Sequence, residues 1–300
     1  MGKLIKLPGL PEQYTIQAKF FSTSNSKLYH GLDKETDQHV FVKECNYDDE
    51  FCREVAASTR LFERGDNGLF VPILNSFPDG NYLVMPYLKG GNLWNYRKSR
   101  KGLSLTEALP LAVQIGQALE YLHTLGIIHN DMKSGNVLLS KSSTTPPATL
   151  TAKLTDLGSC YGIPDLEPGS GAGTREYMAP EKLLSRGSKP ITHLVDIYSL
   201  GLIIHEIITN SLLYEFPKER RKELESDEEK LEEEMYKFQL AKRKEPIPPH
   251  EKIPEKVLNV IKKSCQDNPA DRYQKASEMV KDLENAVAES LRLQNVEEIF

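Results

Sequence analysis

Residues 127–139 read IIHNDMKSGNVLL: an apolar start, a polar run, then an apolar end that suits a buried strand. The polar run holds His129, Asp131, Lys133 and Asn136 as H-x-D-x-K-x-x-N. Moving a phosphoryl group onto a hydroxyl needs three things close together. One is an acceptor for the hydroxyl proton, another a cation beside the transferring group, and the third an oxygen ligand for Mg²⁺. Asp131, Lys133 and Asn136 supply all three from a single short loop.

The surrounding sequence supplies partners in a fixed order. Downstream, KLTDLGS (153–159) puts Asp156 at the end of an apolar run, where it can act as a second Mg²⁺ ligand, and Gly158 permits a sharp turn. GTREYMAPE (173–181), VDIYSLG (195–201) and NPADR (268–272) follow. Upstream lie VFVKE (40–44) and NYLVMPYL (81–88), both strand-like, and between them the helical DDEFCREVAASTRLFERG (48–65). YLKGGN (87–92) reads as a hinge. Beyond it the chain turns helical: Leu105, Ala108, Ala112, Ile115, Leu119 and Leu122 recur at three- and four-residue steps, with Thr106 as the expected cap and Pro110 in the first turn. THLVDIYSLGLIIHEIITN (192–210) is apolar nearly all round, so it is expected to be a buried helix.

This set of blocks resembles the eukaryotic protein kinases of serine/threonine type, from about Tyr14 to Leu291. The resemblance implies an α+β, bilobal kinase fold with a small, mainly antiparallel β lobe and a larger α-helical lobe. It places an N-terminal extension at 1–12, expected to be loose, and a kinase domain at 13–300, divided into lobes at about 13–86 and 87–300. It implies ATP and Mg²⁺ as cofactors and a protein Ser/Thr hydroxyl as acceptor. Lys43 and its helix partner Glu54 would hold the phosphates, with Glu50 as the alternative partner. Asp131 would be the catalytic base, with Lys133 beside it, and Asn136 and Asp156 would bind metal. Leu28, Phe41, Met85, Pro86, Leu88, Asn92 and Leu138 would line the nucleotide site. Glu181 would pair with Arg272, and Asp196 would hold the catalytic-loop backbone. Lys133, with Thr174 placed to touch Asp131, favours serine or threonine over tyrosine as acceptor.

Three departures stand out. The arginine that usually precedes the catalytic Asp is Asn130, which cannot clamp a phosphorylated loop, so activity is expected to be independent of that clamp. Candidate phosphorylation sites remain at Ser159, Tyr161, Ser170 and Thr174. The loop that usually cradles phosphate on glycines is FFSTSNSKLYHG (20–31), with Phe21, Thr23 and Ser26 at the glycine positions. The small residue over adenine is Phe41, whose ring could occupy adenine's place. The alternative reading is therefore a pseudokinase scaffold with little or no ATP turnover.

Bulk properties exclude other classes. The 300 residues carry a net charge of −5, which gives no basic footprint for nucleic acid or a membrane surface. No apolar run is long enough to span a bilayer, and the start of the chain lacks a signal-peptide pattern. Cys45, Cys52, Cys160 and Cys265 have no metal-binding spacing and read as reduced thiols. A cytoplasmic location is expected, a nuclear one being compatible. Two insertions remain. Residues 140–151 form a Ser/Thr/Pro loop, and 217–246 form a segment of mixed charge, expected to be a solvated helix and a candidate partner-docking surface. Oligomeric state, protein substrate and activator leave no mark in the sequence.

Overall fold

The structure, a computed structural model, describes residues 4–66, 68–141, 150–163, 173–185 and 191–297, with backbone alone at 185 and 289–297. Ser170 and most of the 140–151 insertion lie outside these residues. The N-terminal part is a sheet of β1 (Tyr14–Ser22), β2 (Ser26–Asp33), β3 (Gln38–Cys45), β4 (Asn75–Phe77) and β5 (Tyr82–Pro86), all antiparallel in the order β1-β2-β3-β5-β4. Side chains alternate across a strand. Val40 and Val42 therefore join Tyr14, Ile16, Tyr29, Tyr82 and Val84 in an outer cluster. Phe41 and Lys43 face the other way, opposite Met85 and Leu83 of β5. Residues 4–12 are not loose. Ile5 donates its N–H to the Ile16 carbonyl at 3.1 Å, and Ile5, Leu7 and Leu10 cover the outer cluster. Their apolar side chains gain more from that contact than from water.

One helix crosses this sheet, α1 (Asp48–Glu63), which starts only two residues after β3. Asp48, Asp49 and Glu50 complement the positive end of its dipole. Gly65, at φ 78°, lets the chain leave it. Ala57 and Leu61 are buried against the helical part, while Ser58, one turn beyond Glu54, is half-buried.

The C-terminal part contains α2 (Leu93–Ser99), α3 (Leu105–Thr124), the hairpin β6 (Val137–Lys141) and β7 (Leu150–Leu154), α4 (Pro180–Ser185), α5 (Leu194–Thr209), α6 (Lys218–Glu223), α7 (Glu228–Lys242), α8 (Glu255–Ser264) and α9 (Ala276–Glu297). α5 is buried on every side and packs against α3 and α8. Leu109, Ile115, Leu119 and Leu122 of α3 are fully buried against this core, each contributing about 1.5–3 kcal/mol of gross burial. Three details differ from the sequence reading. α3 is capped by Ser104, whose N–H donates to Glu107 Oε2 at 3.3 Å, and not by Thr106. The reciprocal Ser–Glu arrangement outcompetes a lone threonine. Pro110 then falls in the second turn, and the helix runs through it. The 217–246 segment is two helices, α6 and α7, rather than one.

An antiparallel sheet with one helix, followed by a helical body, makes this an α+β, bilobal architecture.

Candidate active site

Catalytic-loop geometry follows from α5. Asp196, fully buried, receives the backbone N–H of His129 at Oδ2 and of Asn130 at Oδ1, both at 2.9 Å, and contacts His123 Nε2 at 2.9 Å. Burial would raise its carboxyl, but these donors, His123 foremost, hold its pKa below the ordinary value. Asn130 is thereby held in the left-handed region at φ 68°, a conformation that short polar side chains tolerate best. Its side-chain amide donates to the Ser159 carbonyl at 2.8 Å.

Asp131 follows, with both carboxylate oxygens engaged. Lys133 Nζ donates to Oδ2 at 2.6 Å and Asn136 Nδ2 to the same oxygen at 3.2 Å; the Thr174 N–H donates to Oδ1 at 3.0 Å. Asn136 Nδ2 also reaches the Asp131 carbonyl at 2.9 Å. The three chemistry-bearing side chains of the loop are thus within contact of one another, with Thr174 of the 173–181 segment docked on top.

Lys43 joins the two parts of the molecule. Its Nζ lies 2.6 Å from Glu54 Oε2 of α1 and 2.7 Å from Asp156 Oδ1, with Glu50 Oε1 at 3.6 Å. Glu54 is therefore the nearer helix partner and Glu50 an outer one. Burial works to discharge Lys43, yet Asp156 and then Glu54 hold its pKa well above the ordinary lysine value. Burial lifts Glu54 to about 7 against the pull of Lys43. Asp156, raised by burial, is pulled down further by Lys43, to about 2. Asp156 sits at φ 67°, and a Cβ on Gly158 would come within 2.4 Å of Glu50 Cγ, so the turn after Asp156 needs glycine.

Leu28, Phe41, Met85, Leu88 and Leu138 belong to none of the clusters of buried apolar side chains among the described residues. Asn92 pairs with Leu138 through a β-bridge, and its Oδ1 caps α2 by accepting the Asn95 N–H at 2.9 Å. Pro86 ends β5 opposite Val40. The Phe41 ring is 5.4 Å from that of Phe20, 5.0 Å from Tyr87 and 6.2 Å from His30. At the glycine-free loop, Thr23 Oγ1 accepts the N–H groups of Asn25 and Ser26, and Asn46 Nδ2 donates to the Ser24 carbonyl at 2.7 Å. Hydroxyl and amide groups hold this hairpin in the shape that glycine would otherwise leave free.

The donor set suits a hard divalent cation bound together with phosphate. Asn136 and Asp156 offer amide and carboxylate oxygens, as Mg²⁺ prefers. Among the described residues no group of three or more His, Cys, Asp or Glu forms a self-sufficient metal cage.

Sequence reading missed several residues. Glu206, fully buried on α5, accepts from Arg97 at 2.6 Å, Tyr177 at 2.7 Å and Ser134 at 2.9 Å, tying the catalytic loop to the 173–181 segment. Arg243 donates to the carbonyls of Met178 (2.8 Å) and Arg175 (2.7 Å). Lys182 donates to the Asn130 carbonyl at 2.5 Å. For Glu206 the one sequence signal was a carboxylate inside an otherwise apolar helix; Lys182 and Arg243 carried none. Arg272 and Glu181 meet as expected, in two bonds of 2.7 Å.

Comparison with known proteins agrees with this geometry. The family described as "Protein kinase domain" matches residues 15–283. A serine/threonine/tyrosine-protein kinase of Arabidopsis thaliana is 31% identical over 215 residues, 68% of this chain and 52% of that protein. A probable serine/threonine-protein kinase of Clostridium acetobutylicum is 26% identical over 292 residues, 92% of this chain and 40% of that protein. A serine/threonine-protein kinase of Mycobacterium bovis is 26% identical over 293 residues, 95% and 68% of the two. The chain thus spans about half or less of the first two of these relatives. A match over that range, carried by a bilobal fold with the kinase motifs in order, means that the chain belongs to the protein kinase family.

Proposed function

We propose that this chain transfers the γ-phosphoryl group of ATP to Ser or Thr hydroxyls of protein substrates. One observation carries the reading: Lys43 contacts Glu54 of the small lobe and Asp156 of the large lobe at 2.6 and 2.7 Å, while Asp131, Lys133 and Asn136 converge beside them. No stability argument calls for so many charged groups in one place, since each buried charge costs free energy. The serine/threonine kinase names of the relatives support the choice of acceptor.

Lys43, oriented by Glu54, would hold the α- and β-phosphates. Asn136 and Asp156 would hold Mg²⁺, which when bound neutralises charge on the phosphates. Asp131 orients the acceptor hydroxyl and takes its proton, and Lys133 places a positive charge beside the transferring group. Residues 13–86 and 87–300 act as the two lobes, meeting at the hinge after Pro86. The activity is independent of a phosphorylated-loop clamp, since Asn130 is neutral and already spends its amide on Ser159.

The rival reading is a scaffold with Phe41 in adenine's place, and Phe41 is indeed only 9% exposed. Its ring, however, packs with Phe20, His30 and Tyr87 and has joined no core cluster. Thermal stability with and without millimolar Mg·ATP separates the two. Binding raises stability by about 2.7 kcal/mol at ~100 times Kd. We expect a Mg²⁺-dependent rise, phosphotransfer to a protein acceptor, and loss of transfer in Asp131→Ala with the fold kept. Unchanged transfer by Asp131→Ala would remove the mechanism.

A further inference from the structure

Resting on the kinase reading above, we propose that Lys182 is a positioning residue for Asp131: from α4, its buried ammonium pins the Asn130 carbonyl and so locks the catalytic loop to the 173–181 segment without any phosphate. Asn130 is held on three sides. Its N–H goes to Asp196, its side chain to Ser159 and its carbonyl to Lys182 Nζ at 2.5 Å. The carbonyl is the last group before Asp131, so fixing it fixes where the Asp131 side chain starts. Gly173 crosses directly above. A Cβ there would stand 2.8 Å from Lys182 Nζ and 2.9 Å from Met178 Cε. The neighbouring Thr174 donates to Asp131. Asn130, Asp131, Gly173, Thr174, Lys182 and Ser199 line one pocket. A cation at 7% exposure is expensive to bury, and an apolar residue would fill the same space more cheaply. A buried charge on the Asn130 carbonyl calls for a task that an apolar residue could not perform.

The charge is marginal. Burial lowers Lys182 to about 8, while Asp131 and Asp196 sustain it and Lys133 opposes it. Two further groups face it. On its own helix Glu181 is paired with Arg272, and burial raises Tyr177, bonded to Glu206, far above the ordinary tyrosine range. The ammonium is present below about pH 8 and lost above it, so the lock loosens on the alkaline side.

The test is steady-state phosphotransfer to a generic protein acceptor from pH 6.5 to 9.5 (roughly the span of lysine deprotonation here), for the native chain, Lys182→Arg and Lys182→Met. In the native chain kcat should fall with an apparent pKa near 8. Lys182→Arg should keep most of kcat and lose that alkaline limb. Lys182→Met should lose about 10–100-fold in kcat at neutral pH with KM for ATP little changed, as expected of a misplaced base. If Lys182→Met does not fold, the Lys182→Arg profile decides. An alkaline limb that persists in Lys182→Arg, or native kcat in folded Lys182→Met, overturns the role of Lys182 alone. A native chain with no phosphotransfer at any pH overturns the kinase reading and this role with it.

Discussion

Arg272 grips Glu181 through two parallel bonds, Nη1 to Oε1 and Nη2 to Oε2, each 2.7 Å long. The guanidinium is fully buried, and its other donors reach the carbonyls of Leu194, Gln266 and Asp267. It therefore fastens the start of α4 to α5 and to the loop before α9. Taking away Glu181 leaves a buried, uncompensated charge. Glu181→Ala should cost about 3–5 kcal/mol in urea denaturation. Arg272→Lys should not rescue the site, because an ammonium cannot make the fork. A loss below ~1 kcal/mol would class the pair with exposed ion pairs.

His205 predicts an acid limb of stability. It is buried on α5, 6.3 Å from the His250 ring, and burial lowers its pKa from 6.5 to about 4. The unfolded chain therefore takes up this proton at a higher pH than the folded one. The contribution is fully present above pH 6.5 and is lost as pH falls toward 4. Its full extent is about 3 kcal/mol, from ~1.4 kcal/mol per pH unit. Denaturation of the native chain and of His205→Gln at pH 7 and pH 5 isolates it. The variant should show the shallower pH dependence, and parallel curves would remove His205 as the cause.

What the sequence disclosed depended on how local each feature was. The loop 127–139 was legible because Asp131, Lys133 and Asn136 reach one another within six residues, and the strands because Val40, Val42 and Lys43 alternate. Residues 4–12 misled because their prolines and glycine read as loose chain, while Ile5, Leu7 and Leu10 were too sparse to announce a packed face. The choice between Glu54 and Glu50 stayed open because both lie one turn apart on the face of α1 turned to Lys43. Lys182, Glu206 and Arg243 were missed because their partners Asn130, Tyr177 and Met178 stand 52, 29 and 65 residues away. No local pattern marks such a contact.

Arg243 extends the same logic to the 217–246 segment. It is buried at the end of α7, and besides its bonds to Met178 and Arg175 it contacts Gln239. Arg175 itself pairs with Glu232, and Arg221 with Glu176 at 3.4 Å. The charged segment is thus fastened to residues 175–178. Arg243→Ala would strip two part-buried carbonyls of a charged donor, each bond being worth about 1.5–3 kcal/mol. We expect lower stability and a raised KM for protein substrate, with KM for ATP unchanged. Equal changes in both KM values would mean that the segment supports the whole fold rather than the 175–178 turn.

Phe41 decides how the nucleotide site works. Its ring contacts span β1, β2 and the hinge, through Phe20, His30 and Tyr87. The Phe20 and His30 contacts are edge-to-face and the Tyr87 contact is tilted; aromatic pairs contribute about 0.5–1.5 kcal/mol each beyond burial. On the proposed kinase reading, these contacts hold the ring aside from adenine. Phe41→Ala should lose about 3 kcal/mol of stability, the lower end for a buried phenylalanine. Its response to Mg·ATP should stay close to that of the native chain, because the ring was not blocking the base. The measurement is Kd for Mg·ATP by calorimetry on both proteins. If the native chain gives no heat while Phe41→Ala binds, the ring occupies adenine's place and the chain is a scaffold on a kinase fold. If both bind with similar Kd, the aromatic cluster is the roof of a working site, and the glycine-free hairpin anchored by Thr23 and Asn46 covers the phosphates as it stands.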